Sequence, residues 1–207
     1  MKKVLLAEDH SIVIKGLKIT FETEFAAYQL QVVRSSADLM KLLKNDDYDM
    51  AIIDLHLEDG DTLHLISDVI RIYPELKILV FSGNPEELYA QKLYNAGIKG
   101  YLNKQSPDEE VIDAIRQILN GKTYLSDNFK EIITSRRYAS TKENPFDKLS
   151  HREIEVLNLL ITGKKPSEIC QELNLHASTV ATYKMKIFTK LRVKNVIELT
   201  QLTSNFR

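Results

Sequence analysis

Met-Ala-Ile-Ile-Asp-Leu-His-Leu-Glu, residues 50–58, is the stretch that decides the fold of this chain. It is apolar from Met50 to Ile53 and turns polar at Asp54. An unbroken apolar run is typical of a strand buried on both faces, as in parallel sheets. In open parallel sheets, functional groups lie just beyond the carboxyl ends of the strands. Asp54 is therefore predicted to present its carboxylate at a strand end.

Three further apolar runs end in polar residues in the same way. Because the carboxyl ends of parallel strands share one edge of a sheet, these residues are expected to meet Asp54. The runs extend from Lys3 to Ala7, before Glu8 and Asp9; from Lys77 to Phe81, before Ser82; and from Ile98 to Asn103, before Lys104. The sequence thus predicts one site that holds three carboxylates, a hydroxyl and an ammonium.

Strand and helix patterns alternate through the first 120 residues or so. We count five strands and five amphipathic helices, which indicates an α/β fold with a doubly wound, five-stranded parallel sheet of the flavodoxin type. This domain is assigned to residues 1–122. From residue 123 to 147 the apolar period fades, so this segment is predicted to be a linker, with a helical turn from about Phe129 to Ile133.

Residues 148–207 are predicted to form a second, all-α domain of four helices. Ser150 and Glu153 form a capping box at the start of the first helix. A short helix from Pro166 to Leu173, a tight turn and a longer helix ending at Leu191 make a helix-turn-helix candidate. Ser178 and Thr179 are expected to cap the longer helix. In such motifs the second helix enters the major groove of DNA.

The charge of the chain is unevenly distributed along its length. The net charge is −1, but residues 1–147 hold 18 of the 28 basic and 24 of the 29 acidic residues, which leaves 10 against 5 for residues 148–207. A carboxylate cluster in an acidic region suggests a metal cation, and a small basic region suggests nucleic acid. The single cysteine excludes an internal disulfide. With no signal peptide and no apolar run of spanning length, a cytoplasmic protein without a membrane partner is expected.

The first domain resembles the receiver domain of bacterial two-component response regulators. The resemblance lies in the order of the polar residues at successive strand ends: the acid pair Glu8 and Asp9, then Asp54, Ser82 and Lys104. The resemblance covers residues 1 to about 122. It implies that Asp54 accepts a phosphoryl group from a cognate sensor histidine kinase. The chain is accordingly expected not to be an enzyme.

The same resemblance implies a set of roles around Asp54. Mg²⁺ would be held by Asp9, Asp54 and the backbone carbonyl of His56, with Glu8 acting directly or through water, because hard cations prefer oxygen ligands. Lys104 would neutralise the phosphoryl oxygens and Ser82 would donate a hydrogen bond to one of them. Tyr101 would act as a switch residue that moves inward behind Ser82. The His56 side chain is assigned to the rim of the pocket.

The second domain resembles the NarL/FixJ (LuxR-type) DNA-binding domain over about 55 residues, through the residues from Leu149 to Leu157, Gly163, Thr179-Val180, Lys190-Leu191 and Glu198-Leu199. The segment Thr182-Tyr-Lys-Met-Lys186 is similar to the recognition helix of the subgroup that includes BvgA and EvgA. By this resemblance Val180, Ile187 and Leu191 face inward. The residues expected to contact DNA are Lys165, Ser178, Thr179, Ala181, Thr182, Lys184, Met185, Lys186 and Lys190.

Three positions depart from these families. Glu58 stands where a proline is usual and Thr62 where a glycine is usual, so the loop after Asp54 is expected to have an unusual shape. Ala181 stands where many relatives carry lysine, so the operator of a relative cannot be transferred to this chain.

The resulting hypothesis is a phosphorylation-controlled transcription regulator that binds promoter DNA as a homodimer, with RNA polymerase as a further candidate partner. One DNA-binding domain buries little surface, so two half-sites about 10 bp apart, or a multiple of that spacing, are needed. An aspartate-nucleophile phosphatase is disfavoured because His56, not a second acid, stands two residues after Asp54. A nucleotide-binding flavodoxin-like module is disfavoured because no glycine-rich loop follows Leu6. A phosphorylation-independent DNA binder, whose receiver recruits a partner protein, stays open.

Overall fold

A computed structural model describes residues 2–131 and 145–204 of the chain. The chain divides into two compact units, residues 1–127 and 128–207. Within the described residues, every helix is too short or too polar to traverse a lipid bilayer.

The first unit is built on a five-stranded parallel sheet with the strand order β2-β1-β3-β6-β7. This confirms the doubly wound topology predicted from the sequence. All four residues of β3 are buried, as its unbroken apolar run indicates. The strands of the sheet are β1 (Lys2–Ala7), β2 (Tyr28–Val33), β3 (Met50–Ile53), β6 (Lys77–Ser82) and β7 (Gly100–Asn103).

Five helices follow the strands and supply apolar faces to the core. α1 and α5 contribute to one buried cluster, where Leu17, Phe21, Ile115 and Ile118 pack with the apolar side chains of the strands, such as Ile52. The helices are α1 (Ser11–Glu24), α2 (Ser36–Asn45), α3 (Leu63–Ile72), α4 (Glu86–Ala96) and α5 (Asp108–Leu119).

The segment after Asp54 forms a small antiparallel hairpin, which the sequence analysis did not predict as strands. Its strands are β4 (His56–Leu57) and β5 (Gly60–Asp61). Gly60 has φ +123°, a conformation that side chains with a Cβ rarely adopt. Thr62 is buried, and its hydroxyl donates to the backbone oxygen of Asp54 at 2.6 Å. Thr62, which departs from the family pattern, therefore fastens the hairpin to the end of β3.

The first unit extends five residues beyond the predicted boundary at residue 122. Tyr124 was assigned to the linker, but it is buried in the core cluster of this unit. The Tyr124 hydroxyl donates to the Glu110 carboxylate, and the Tyr124 backbone oxygen accepts from Tyr94. Residues 127–131 are helical, in line with the predicted helical turn, of which residues 132 and 133 lie outside the described residues.

The second unit contains the four predicted helices after a short 3-10 turn at Pro145–Lys148. Ser150 and Glu153 form the predicted capping box. The predicted cap of the helix Ala177–Leu191 is wrong, because His176 occupies its N-cap position and both Ser178 and Thr179 lie inside the helix. The helices are α6 (His151–Ile161), α7 (Pro166–Glu172), α8 (Ala177–Leu191) and α9 (Val196–Ser204).

Candidate functional site

Backbone hydrogen bonds between strand ends bring the predicted pocket residues together. The Asp54 N–H donates to the oxygen of Ala7 at 3.0 Å, which places Asp54 beside Glu8. The Lys104 N–H donates to the oxygen of Ser82, also at 3.0 Å. The register of the parallel sheet therefore sets the spacing of the site before any side chain contributes.

Lys104 holds two buried carboxylates at once. Its ammonium lies 2.7 Å from Asp54 Oδ2 and 2.6 Å from Glu8 Oε2. The Asp54 and Glu8 side chains are 3% and 1% exposed, and that of Lys104 is 14% exposed. Because solvent screens these charges poorly, the pairing is stronger than that of a surface salt bridge.

The environment of Asp54 favours the binding of a further cation. Burial raises the pKa of this carboxyl above its usual range, Lys104 lowers it, and the neighbouring Glu8 raises it again. Asp54 Oδ1 is buried without a hydrogen-bond partner. Glu8, Asp9 and Asp54 each offer a carboxylate oxygen in a group whose ligand atoms lie within 4.8 Å of one another. Clustered carboxylate oxygens are the ligands a hard divalent cation prefers, so these residues fit Mg²⁺.

Glu8 is already occupied on both of its carboxylate oxygens. Oε2 pairs with Lys104, and Oε1 accepts from the His10 backbone N–H at 2.9 Å and lies 2.8 Å from the His10 ring nitrogen Nδ1. The same Nδ1 lies 2.8 Å from Asp9 Oδ1. His10 was missed by the sequence analysis, although it directly follows the acid pair. His10 therefore contacts both members of the acid pair.

Tyr101 is fully buried in this structure. Its side chain therefore already occupies the inward position to which it was predicted to move. Its hydroxyl donates to the backbone oxygen of Asn84 at 2.9 Å, and its backbone N–H donates to the Tyr94 hydroxyl at 3.0 Å. Burial raises the pKa of the Tyr101 phenol well above its usual value. The side chain is therefore a neutral hydrogen-bond donor inside the unit.

Asn84 connects three residues of the pocket and was not predicted. Its Nδ2 donates to Ser82 Oγ at 3.2 Å and lies 3.3 Å from His56 Nδ1, while its backbone oxygen accepts from Tyr101. The His56 side chain is exposed at the rim of the pocket. The only signal in the sequence is that Asn84 comes two residues after Ser82, beyond the end of β6.

In the second unit, one face of α8 is exposed along its length. Val180, Ile187 and Leu191 are buried, as predicted. Thr179 is half-buried in the first turn. The opposite face carries residues spaced three and four positions apart, which share one side of a helix. These exposed residues are Ser178, Ala181, Thr182 and Met185.

Lys190 has a carboxylate partner within its own unit, and its contact with DNA stays a prediction. The Lys190 ammonium lies 2.6 Å from the buried Glu153 carboxylate of α6, which also accepts the Ser150 backbone N–H. Lys190 therefore joins α8 to α6 inside the unit, because Glu153 needs a cation in its buried position. The remaining lysines are placed differently: Lys165 and Lys186 are exposed, and Lys184 is half-buried with its ammonium 5.5 Å from the centre of the Phe188 ring.

Comparison with known proteins assigns both units to families. Residues 4–116 match the response regulator receiver domain, and residues 147–203 match the bacterial regulatory proteins of the LuxR family. The chain belongs to the LuxR-type response regulators. The response regulator UvrY of Escherichia coli is 29% identical over 98% of this chain and 93% of its own length. The oxygen regulatory protein NreC of Staphylococcus epidermidis is 31% identical over 96% of this chain and 95% of its own length.

Solved structures of other response regulators have a fold similar to that of this LuxR-type response regulator. RcsB of Salmonella enterica serovar Typhimurium, bound to a promoter in the presence of the phosphomimetic BeF3−, is 26% identical with a TM-score of 0.61. The alignment covers 100% of this chain and 99% of that one. Another structure contains two RcsB dimers bound to two parallel DNAs, with the same identity and TM-score over 98% of both chains.

Proposed function

We propose that a sensor histidine kinase phosphorylates Asp54 and that this phosphorylation controls dimeric binding of the second unit to promoter DNA. The observation that carries the proposal is the state of the Asp54 carboxylate. It is buried at the end of β3, with one oxygen held by Lys104 and the other without a partner. A nucleophilic oxygen beside a fixed ammonium is what in-line phosphoryl transfer needs.

The metal in this proposal is Mg²⁺, held by Asp9, Asp54 and the backbone carbonyl of His56. When bound, it neutralises charge that develops on the phosphoryl oxygens. Glu8 takes part directly or through water, as a member of the same group of ligand atoms. It also holds the Lys104 ammonium beside Asp54.

In the transfer step, an Asp54 oxygen forms a bond to phosphorus while the bond from phosphorus to the histidine nitrogen of the kinase breaks. The Lys104 ammonium stays within reach of the phosphoryl group because it is already 2.7 Å from Asp54 Oδ2. Ser82 lies on the adjacent strand end, and its hydroxyl donates a hydrogen bond to a phosphoryl oxygen. A shift of Ser82 would move Asn84 and Tyr101 as well, because Asn84 is hydrogen-bonded to both Ser82 and Tyr101.

The second unit supplies the DNA contacts. As the second helix of the helix-turn-helix, α8 lies in the major groove, with its exposed face toward the bases. Lys165 and Lys186 bind phosphates. The RcsB structures on DNA, one with a phosphomimetic and one with dimers, support control by phosphorylation and binding as a homodimer. RNA polymerase as a partner of the promoter-bound dimer, and a cytoplasmic location where kinase and DNA are accessible, belong to the same proposal.

Lys186→Met is expected to weaken DNA binding, whereas Lys190→Met is expected to lower the stability of the second unit. Loss of the exposed Lys186 removes one phosphate contact, so DNA affinity falls and the dependence of log affinity on log salt becomes shallower by about one contact. Loss of Lys190 leaves Glu153 buried and unpaired, so the second unit is destabilised, by about 2 kcal/mol. Salt titration of DNA binding and calorimetric unfolding separate the two. Similar salt slopes for Lys186→Met and wild type would contradict the phosphate contact.

The function is tested by DNA affinity before and after phosphorylation. Duplexes are selected from a random library with wild-type protein, Mg²⁺ and phosphoramidate, and then titrated with both wild type and Asp54→Asn. Wild type is expected to bind about tenfold more tightly after phosphoramidate treatment, a coupling of about 1.4 kcal/mol. Asp54→Asn keeps the size and shape of the side chain and is expected not to respond.

A second candidate function is a phosphorylation-independent DNA-binding regulator whose receiver serves as a protein-interaction module. The observation that favours it is the position of Tyr101, which is already buried and hydrogen-bonded to Asn84 without a phosphoryl group. In the titration above, equal DNA affinity of treated and untreated wild type would favour this candidate.

A further inference from the structure

The exposed face of α8 carries an unusual set of side chains for a helix assigned to the major groove. We call Ser178, Ala181, Thr182 and Met185 the reading stripe. None of the four has a charge or an amide group, and all four are exposed. Met185 is 67% exposed, a large apolar side chain directed away from its own domain.

This composition excludes the two commonest ways of reading a purine. Guanine is read by bidentate contacts from Arg or Lys, and adenine by bidentate contacts from Asn or Gln. The reading stripe has none of these groups. Thymine differs from the other bases by its 5-methyl group in the major groove, which is recognised by apolar contact from alanine, the threonine methyl or similar groups.

A hydrogen bond within α8 leaves the methyl group of Thr182 available for an apolar contact. Its hydroxyl donates to the backbone oxygen of Ser178 at 2.9 Å. The hydroxyl proton is thus used inside α8, and the side chain offers a methyl group and an acceptor oxygen. Together with Ala181 and Met185, Thr182 gives the stripe a continuous methyl and thioether surface.

The cations of α8 lie beside the stripe instead of within it. Successive residues of a helix are separated by about 100° around its axis, so Lys184 and Lys186 project to either side of Met185. The Lys184 ammonium is also held near the Phe188 ring. Positive charge at the borders of the stripe suits the two phosphate backbones that flank the groove.

From these observations we infer that the reading stripe recognises thymine 5-methyl groups, so that each half-site of the operator contains thymines read by Ala181, Thr182 and Met185. This rests on the proposed DNA-binding function and names its base specificity. The alternative use of an exposed Met185, contact with another protein, predicts no dependence of DNA affinity on the thymine methyl group.

The test uses the full-length protein and duplexes selected from a random library. Each selected thymine is replaced in turn by deoxyuridine, which pairs identically and lacks only the methyl group. Loss of one buried methyl-sized contact is expected to weaken binding about fourfold, and symmetric replacement in both half-sites about fifteenfold. Binding to unselected random duplexes, with and without uracil, is expected to be equal.

Met185→Gln and Met185→Leu provide the matched variants. The glutamine variant keeps the length of the side chain but is polar, so at the thymine contacted by residue 185 the fourfold preference over uracil is expected to fall below twofold. The leucine variant is expected to retain the preference. Equal binding of thymine and uracil duplexes by wild type overturns the inference while leaving the DNA-binding function in place. Failure to enrich any sequence overturns both.

Discussion

Replacing Lys104 by methionine is expected to destabilise the receiver unit by about 3 kcal/mol in metal-free buffer, since removing one partner of a buried ion pair leaves uncompensated charge. Asp54 and Glu8 would both lose their 2.6–2.7 Å contact with the ammonium. The methionine fills a similar volume, so a cavity contributes little. Calorimetric unfolding should show the receiver transition about 10 °C lower than in wild type.

Mg²⁺ should restore part of the stability lost in Lys104→Met. The cation neutralises the acid cluster and binds the folded state only, so it stabilises by mass action. Lys92→Met is the matched control, because Lys92 is exposed on α4. It is expected to change stability by less than about 0.5 kcal/mol. If Lys104→Met matched Lys92→Met in stability, the assignment of Lys104 as the main counter-charge of the cluster would be wrong.

Replacing Glu86 by glutamine is expected to change how receiver stability depends on pH. Glu86 is buried at the start of α4, where Ser126 donates to its Oε2 at 2.5 Å and its Oε1 has no hydrogen-bond partner. The pKa of this carboxyl is raised from 4.5 to about 7, mainly by burial, with smaller increases from Glu87 and Glu110 that act against the lowering effect of Ser126.

The direction of the effect follows from that raised pKa. The stabilising contribution of protonated Glu86 is complete below the unfolded-state pKa of 4.5 and is lost as the pH rises through about 7. Between pH 4.5 and 8, wild type should therefore lose roughly 3 kcal/mol that Glu86→Gln does not lose, at 1.36 kcal/mol for each pKa unit. Glu109→Gln, an exposed acid on α5, is the control. Parallel pH profiles for wild type and Glu86→Gln would contradict the buried, protonated state.

The main features of the first unit could be predicted because they depend on local pattern. Apolar runs determined the strands, and the carboxyl ends of parallel strands share an edge, so Glu8, Asp54, Ser82 and Lys104 were predicted to meet. The hairpin β4-β5 could not be predicted in this way. It depends on the hydrogen bond from the Thr62 hydroxyl to the Asp54 backbone oxygen, a contact that has no periodic signature.

Pairs of side chains from different elements of the fold could not be predicted from the sequence either. Lys190 looks like one more basic residue on a DNA-reading helix, and only the packing of α8 against α6 shows that it serves Glu153. In the same way, the acid pair at the end of β1 suggested two metal ligands. In the structure the ring of His10 lies against both acids and the Lys104 ammonium pairs with Glu8, while Asp54 Oδ1 is buried without a hydrogen-bond partner.

The most direct test of the central claim is intact mass after incubation with phosphoramidate and Mg²⁺. Wild type is expected to gain the mass of one phosphoryl group, while Asp54→Asn and wild type in EDTA gain none. Peptide mapping should place the modification on Asp54. A phosphoryl group on Asp54→Asn, or on wild type at a residue other than Asp54, would contradict the account.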